Sequence, residues 1–81
     1  MANPTIYRAL VEKIIPNGRH GAYAVARSAT IGPITFLLCQ PVWQEDIWPE
    51  SGTFVMLSGL MKKRAGWRAN SARFEVPSDS R

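Results

Sequence analysis

The chain has 81 residues, 46% hydrophobic and 20% charged, with a formal net charge of +4. That length allows one domain with a modest core, and that composition excludes a disordered chain. A single cysteine, Cys39, excludes an intramolecular disulfide, and no apolar run approaches the roughly 20 residues of a membrane-spanning helix.

The opening residues, "MANPTIYRAL", have no basic segment leading into an apolar one, so no signal peptide is expected. A reducing, cytoplasmic setting follows as the simplest expectation. The first structured segment, "NPTIYRALVEKIIPNG", admits two readings. Ile6, Tyr7, Leu10, Val11, Ile14 and Ile15 form apolar pairs four apart, which is helical spacing. Asn3 would then be the N-cap and Pro4 the first helical residue, giving a helix over 4–15. The same residues also read as a strand, "ALVEKII", running into a hairpin turn at Pro16, Asn17 and Gly18.

The second segment, "GAYAVARSA", alternates Ala22, Ala24 and Ala26 with Tyr23, Val25 and Arg27, as a strand does. The third, "PITFLLCQ", is apolar throughout and predicts a strand buried on both faces, with Phe36 in the core and Cys39 an inert interior thiol. Residues 41–50, "PVWQEDIWPE", break the rhythm. Trp43 and Ile47 lie four apart and predict a short helical turn that plugs one end of a barrel. Three of the six acidic residues fall at 45–50, so this patch should repel phosphate. Trp43 and Trp48 read as core plugs; the alternative is a docking surface, since tryptophan is enriched at interaction hot spots.

The fourth segment, "GTFVMLSGLM", divides Phe54 and Met56 from Val55 and Leu57 across two faces. The fifth, "GWRANSARFEV", places Trp67, Ala69, Ser71, Arg73 and Glu75 on one side and Arg68, Asn70, Ala72, Phe74 and Val76 on the other. Pro77 and "SDSR" predict a flexible tail over 77–81. The whole reads as one all-β domain over 1–76, a small five-stranded barrel with a helical turn between strands three and four. The alternative is an α+β domain in which residues 4–15 form a helix.

Charge is distributed unevenly. Over residues 1–50, Arg8, Lys13, Arg19 and Arg27 are cancelled by Glu12, Glu45, Asp46 and Glu50. Residues 51–74 hold Lys62, Lys63, Arg64, Arg68 and Arg73 with no acidic residue. A local positive field of this kind is what a polyanion would feel.

Two stretches carry a resemblance. "ALVEKIIPNGRHGAYAV", residues 9–25, resembles the opening hairpin of OB-fold nucleic-acid-binding proteins, in particular bacterial translation initiation factor one and S1-type RNA-binding domains. "PESGTFVMLSGLMKKRAGWRANSARF", residues 49–74, is similar to their closing hairpin, where a glycine opens the fourth strand and a basic loop leads into an arginine-bearing last strand. The middle, "GPITFLLCQPVWQEDIWPE", departs from the initiation-factor pattern. The resemblance implies an OB-like barrel in which residues 6–15 are strand.

The functional expectation is binding of single-stranded nucleic acid, RNA more than DNA, with low sequence specificity. Lys62, Lys63, Arg64, Arg68 and Arg73 would neutralise phosphates. Arg19 and Arg27 would extend the groove, and Trp67 with Tyr23 would stack bases. His20, beside Arg19, is a candidate phosphate contact. One cysteine and one histidine cannot make a tetrahedral metal site, and no GxxxxGK loop or nucleophile–base–acid set is present. No cofactor and no catalysis are therefore expected. The second functional reading is a non-catalytic interaction subunit that docks through the tryptophan-rich acidic patch or forms a homodimer.

Overall fold

The computed structural model describes residues 5–64 and 66–75. This part of the chain is all β, with no helix: β1 (Tyr7–Ile15), β2 (Tyr23–Ser28), β3 (Gly32–Leu37), β4 (Phe54–Ser58), β5 (Met61–Lys63), β6 (Gly66–Arg68) and β7 (Ser71–Phe74). They form one mixed sheet in the order β5-β6-β3-β2-β1-β4-β7. The β3–β6 pair is parallel and the others are antiparallel. The sheet is not closed, and β5 and β7 are its end strands.

One face of this curled sheet holds the core. Ala9 and Val11 of β1, Ala24 and Ala26 of β2, Ile34 and Phe36 of β3, and Val55 and Leu57 of β4 are buried together with Leu38, Trp43, Ala69 and Ala72. Fully burying a side chain such as Ile34, Phe36 or Leu57 contributes about 1.5–3 kcal/mol. The alanines on β2 leave room for the large Trp43, which stacks on Phe36 (ring centroids 5.8 Å) and meets Phe74 edge-on at 5.0 Å. Its indole N–H donates to the Ile47 carbonyl at 2.8 Å, so its one polar atom is buried with a partner.

Residues 7–15 are strand, which overturns the alternative of an N-terminal helix. The cause of the helical-looking spacing is a β-bulge. The β1–β2 register shifts between Val11 and Lys13, so Val11 and Ile14 lie three apart yet both pack on the core. Strand pairing with β2 on one side and β4 on the other outweighs the local pattern. The cap positions Asn3 and Pro4, and the 77–81 tail, lie outside the described residues.

In place of the five strands expected, the described residues form seven shorter strands in one sheet that is not closed. The fourth and fifth segments each break in two, at Gly59–Leu60 and at Ala69–Asn70, and the halves take different partners. β4 pairs with β1 and β7, and β5 pairs with β6, which in turn pairs with β3. The break at 69–70 also shifts the alternation. Trp67 and Ala69 face the core before it, and Ala72 and Phe74 after it, so the single uninterrupted alternation expected for 66–76 does not hold.

The helical turn expected at 41–50 is also corrected: the segment is a loop. The Trp43 N–H does reach the Cys39 carbonyl at 3.1 Å, but the backbone then turns to β7. The Gln44 N–H donates to the Ala72 carbonyl and the Ala72 N–H to the Val42 carbonyl. Sheet-like bonding thus satisfies groups that a helix would have used internally. The third segment is buried on one face, not two: Ile34, Phe36 and Leu38 point inward, while Thr35 and Leu37 are half-buried. Cys39 is exposed rather than interior. Trp43 plugs the core as expected, and Trp48 does not, being 48% exposed.

Candidate functional site

The outer face of β2 and β3 is where basic side chains gather around a concavity. Because opposed residues in a ladder share a face, the core-facing pairs Ala24–Phe36 and Ala26–Ile34 leave Tyr23–Leu37 and Val25–Thr35 on the opposite face. The register carries this row outward in both directions: Lys13 opposes Val25, Thr35 opposes Arg68, and Arg68 opposes Met61. One line, Lys13–Val25–Thr35–Arg68–Met61, therefore crosses five strands with a cation toward each end.

Beside this line lies a cleft of about 260 Å³. It is lined by Arg19, His20 and Gly21 from the β1–β2 turn, by Tyr23 of β2 and Thr35, Phe36 and Leu37 of β3, and by Arg68 of β6. Two guanidinium groups, an imidazole, a phenol and a hydroxyl line it, with no carboxylate among the described residues. The turn forms one wall because Gly18 is packed directly against Tyr23. A Cβ on Gly18 would lie 2.6 Å from the tyrosine ring and also clash with the Gly21 carbonyl. Only glycine allows so close an approach, and the Gly21 N–H closes the turn on the Gly18 carbonyl at 3.1 Å. On the opposite wall, the Thr35 hydroxyl donates to the Trp67 carbonyl at 3.4 Å and helps tie β6 to β3.

The basic hairpin extends from this wall. Lys62 opposes Trp67 and Lys63 opposes Gly66, with Arg64 in the turn. Gly66 has φ +129°, a conformation that favours glycine. Lys63 shares the Arg68 face by alternation along β5. Lys62 lies on the other face, with its ammonium 5.1 Å from the Trp67 ring centroid, a cation–π geometry. Trp67 is half-buried against the core, in register with Ile34.

No protein-family model, curated protein or solved structure matches the chain.

The residues singled out from the sequence thus fall into separate groups. Arg19, Tyr23 and Arg68 line one cleft. Lys63 and Arg64 lie on the adjoining hairpin, and Lys62 and Trp67 share that hairpin's core-side face. Arg27 has its Nε 2.8 Å from a Glu12 carboxylate oxygen. Arg73 lies in the row Arg8–Met56–Arg73, across β1, β4 and β7. In that row Arg8 bonds Glu75 and stacks 3.5 Å from the Phe54 ring centroid.

Three positions of this outer face were absent from the phosphate groove expected from the sequence or only loosely attached to it. Lys13 joins the cross-strand row because the bulge at Glu12 turns it to the Val25 side. Thr35 carried no signal in an apolar run. His20 was a candidate by its place after the turn, and the cleft puts it beside Arg19. Among the described residues, no cluster of three or more His, Cys, Asp or Glu side chains could hold a metal ion.

Proposed function

We propose that the protein is a non-catalytic, cytoplasmic binder of single-stranded nucleic acid, with RNA preferred to DNA. The strand lies on the outer face of β2, β3 and β6, with the cleft at its centre and the basic hairpin alongside. The observation that carries this reading is the cleft that Arg19, His20 and Arg68 line together with Tyr23, with no carboxylate among the described residues.

Guanidinium groups bind phosphate oxygens by charge-assisted, often bidentate hydrogen bonds. An aromatic ring offers a stacking platform worth about 1–3 kcal/mol per base, whatever the base. The Thr35 hydroxyl and the Tyr23 phenol supply groups that can bond a ribose 2′-OH, the group by which proteins distinguish RNA from DNA. Phosphate contacts position a strand without identifying it, so sequence specificity is low.

An OB-like barrel is part of the same proposal. Supporting it, β6 and β7 are separated only by Ala69 and Asn70, and one path from β6 to β7 pairs with β3 at its start and with β4 at its end. Read as one bent strand, it links β3 to β4 around the core, in the strand arrangement that the resemblance implies. The Ala69 N–H donates to Thr35 on one side at 2.9 Å, and the Asn70 N–H to Ser58 on the other at 3.1 Å, which supports that continuity.

The test is a fluorescence-anisotropy titration of single-stranded RNA, single-stranded DNA and duplex at two salt concentrations. Wild type should bind the single strands more tightly than duplex, with affinity falling steeply as salt rises. A Lys62→Ala/Lys63→Ala/Arg64→Ala variant should lose about tenfold or more, as the removal of several phosphate contacts requires. Affinity that is unchanged in this variant would refute the proposal.

One observation favours a second reading, a protein-docking surface at the 44–50 loop. The loop is pinned by the Trp43–Ile47 hydrogen bond and by the Glu45 carboxylate, which accepts from the Phe74 N–H at 3.2 Å. It presents Ile47 and Trp48, 67% and 48% exposed, beside exposed Asp46 and Glu50. Under this reading Trp48→Ala would abolish partner binding or dimerisation and leave oligonucleotide binding unchanged.

A further inference from the structure

We infer that the Arg19–Arg68 cleft is an end-binding pocket, which takes the terminal phosphomonoester of a nucleic-acid strand rather than an internal phosphodiester. The inference rests on the nucleic-acid reading above and narrows it to one chemical group.

Charge gives the first reason. Arg19 and Arg68 line the cleft from different elements, the β1–β2 turn and β6, with His20 beside Arg19 and no carboxylate among the described residues of the lining. An internal phosphodiester carries one negative charge, and a terminal phosphomonoester carries about −1.5 to −2 at neutral pH with three acceptor oxygens. Two guanidinium groups and a ring N–H match the larger charge and the greater number of acceptors. Arg8 and Arg27, by contrast, each already hold a carboxylate.

Size and shape give the second. At about 260 Å³ the cleft is smaller than typical pockets for drug-sized ligands. It has room for about one nucleotide and not for a run of them. Its lining includes the register pair Tyr23–Leu37, an aromatic and an aliphatic side chain against which one base can rest. Its cations come from two elements, and the turn that carries Arg19 is held by the close packing of Gly18 on Tyr23. A fixed wall is what preorganised recognition of a small anion needs. The remaining nucleotides then run toward the hairpin, where Lys63 and Arg64 meet ordinary phosphodiesters.

The experiment compares three single-stranded RNAs of one sequence, bearing a 5′-phosphate, a 3′-phosphate or hydroxyls at both ends, with the fluorescent label placed internally. The expected result is that one phosphorylated end binds about tenfold tighter than the hydroxyl-ended strand, the gain from added charge-assisted bonds. Arg19→Ala and Arg68→Ala should each bring that ratio close to one. Lys62→Ala/Lys63→Ala should weaken all three strands and keep the ratio. Free nucleoside monophosphate, added as competitor, should erase the preference, whereas the matching nucleoside should not.

Equal affinity for the three strands overturns the end-binding assignment and leaves the nucleic-acid reading standing. A preference that survives both arginine substitutions also overturns it, because the phosphate is then held elsewhere. Failure of every strand to bind overturns both. Circular dichroism of each variant confirms that a lost ratio is not a lost fold.

Discussion

The β2–β3–β6 side of the molecule and the β1–β4–β7 side both carry arginines on their outer surface, yet they are built differently. On the second side, Arg8 is bonded to Glu75 and laid over Phe54, and at its border Glu12 of β1 binds Arg27 of β2. On the first side, Arg19 and Arg68 share a cleft with His20 and Tyr23, and no carboxylate among the described residues lines it. The ion pairs on the second side are more than a third exposed, so each contributes little stability. Their main effect is to occupy the guanidinium groups. A count of basic residues therefore does not locate a binding surface; the position of the carboxylates does.

The largest effect on this comparison comes from removing the side chain that joins the two sides. Trp43 touches Phe36 on β3 and Phe74 on β7. Trp43→Ala should cost about 3–5 kcal/mol, the range for deleting a large buried aromatic, and it also leaves the Ile47 carbonyl without its donor. Urea unfolding monitored by circular dichroism measures this loss.

Next is the contrast itself. Arg19→Ala/Arg68→Ala should lower affinity for single-stranded RNA by about a hundredfold or more, since hydrogen bonds to charged groups contribute about 1.5–3 kcal/mol each. Arg27→Ala/Arg73→Ala should change it less than about threefold, as expected of contacts outside the main site. Anisotropy titrations of the two double variants in one buffer give the comparison directly.

A smaller effect is expected at the cleft wall. Gly18→Ala forces a methyl group into the Tyr23 ring and should destabilise the fold by about 1–3 kcal/mol, the usual cost of overpacking. It should also weaken RNA binding by displacing the turn that carries Arg19. Thermal melts and the tyrosine near-ultraviolet signal would report both changes. The smallest effect comes from Glu12→Gln, which should alter stability by less than about 1 kcal/mol. By freeing Arg27 it should raise RNA affinity about twofold, through one added phosphate neighbour. That gain would show that pairing with Glu12, not position alone, silences Arg27.

Much of the strand pattern was legible in the sequence. The turns at 16–18 and 49–52, the alternation of 22–27 and the split of Phe54 and Met56 from Val55 and Leu57 each follow from side-chain chemistry over a few residues. What was hidden depends on partners far along the chain. The bulge at Glu12 imitates helical spacing, and only the register against β2 distinguishes the two. The breaks at 59–60 and 69–70 depend on β4 and β6 finding different neighbours, and so the placing of Arg68 and Arg73 in different rows could not be read from their spacing. The basic segment as a whole was visible as charge. The cleft was not, because Arg19 and Arg68 are brought together only by the parallel pairing of β3 with β6.

The most direct measurement is the salt dependence of RNA affinity for wild type, Arg68→Ala and Arg27→Ala. About four phosphate contacts on a single strand give a slope of log K against log salt near −3. The account predicts that slope for wild type, the same slope for Arg27→Ala, and one shallower by about 0.7 for Arg68→Ala. Equal slopes for all three proteins, or a change confined to Arg27→Ala, would contradict it.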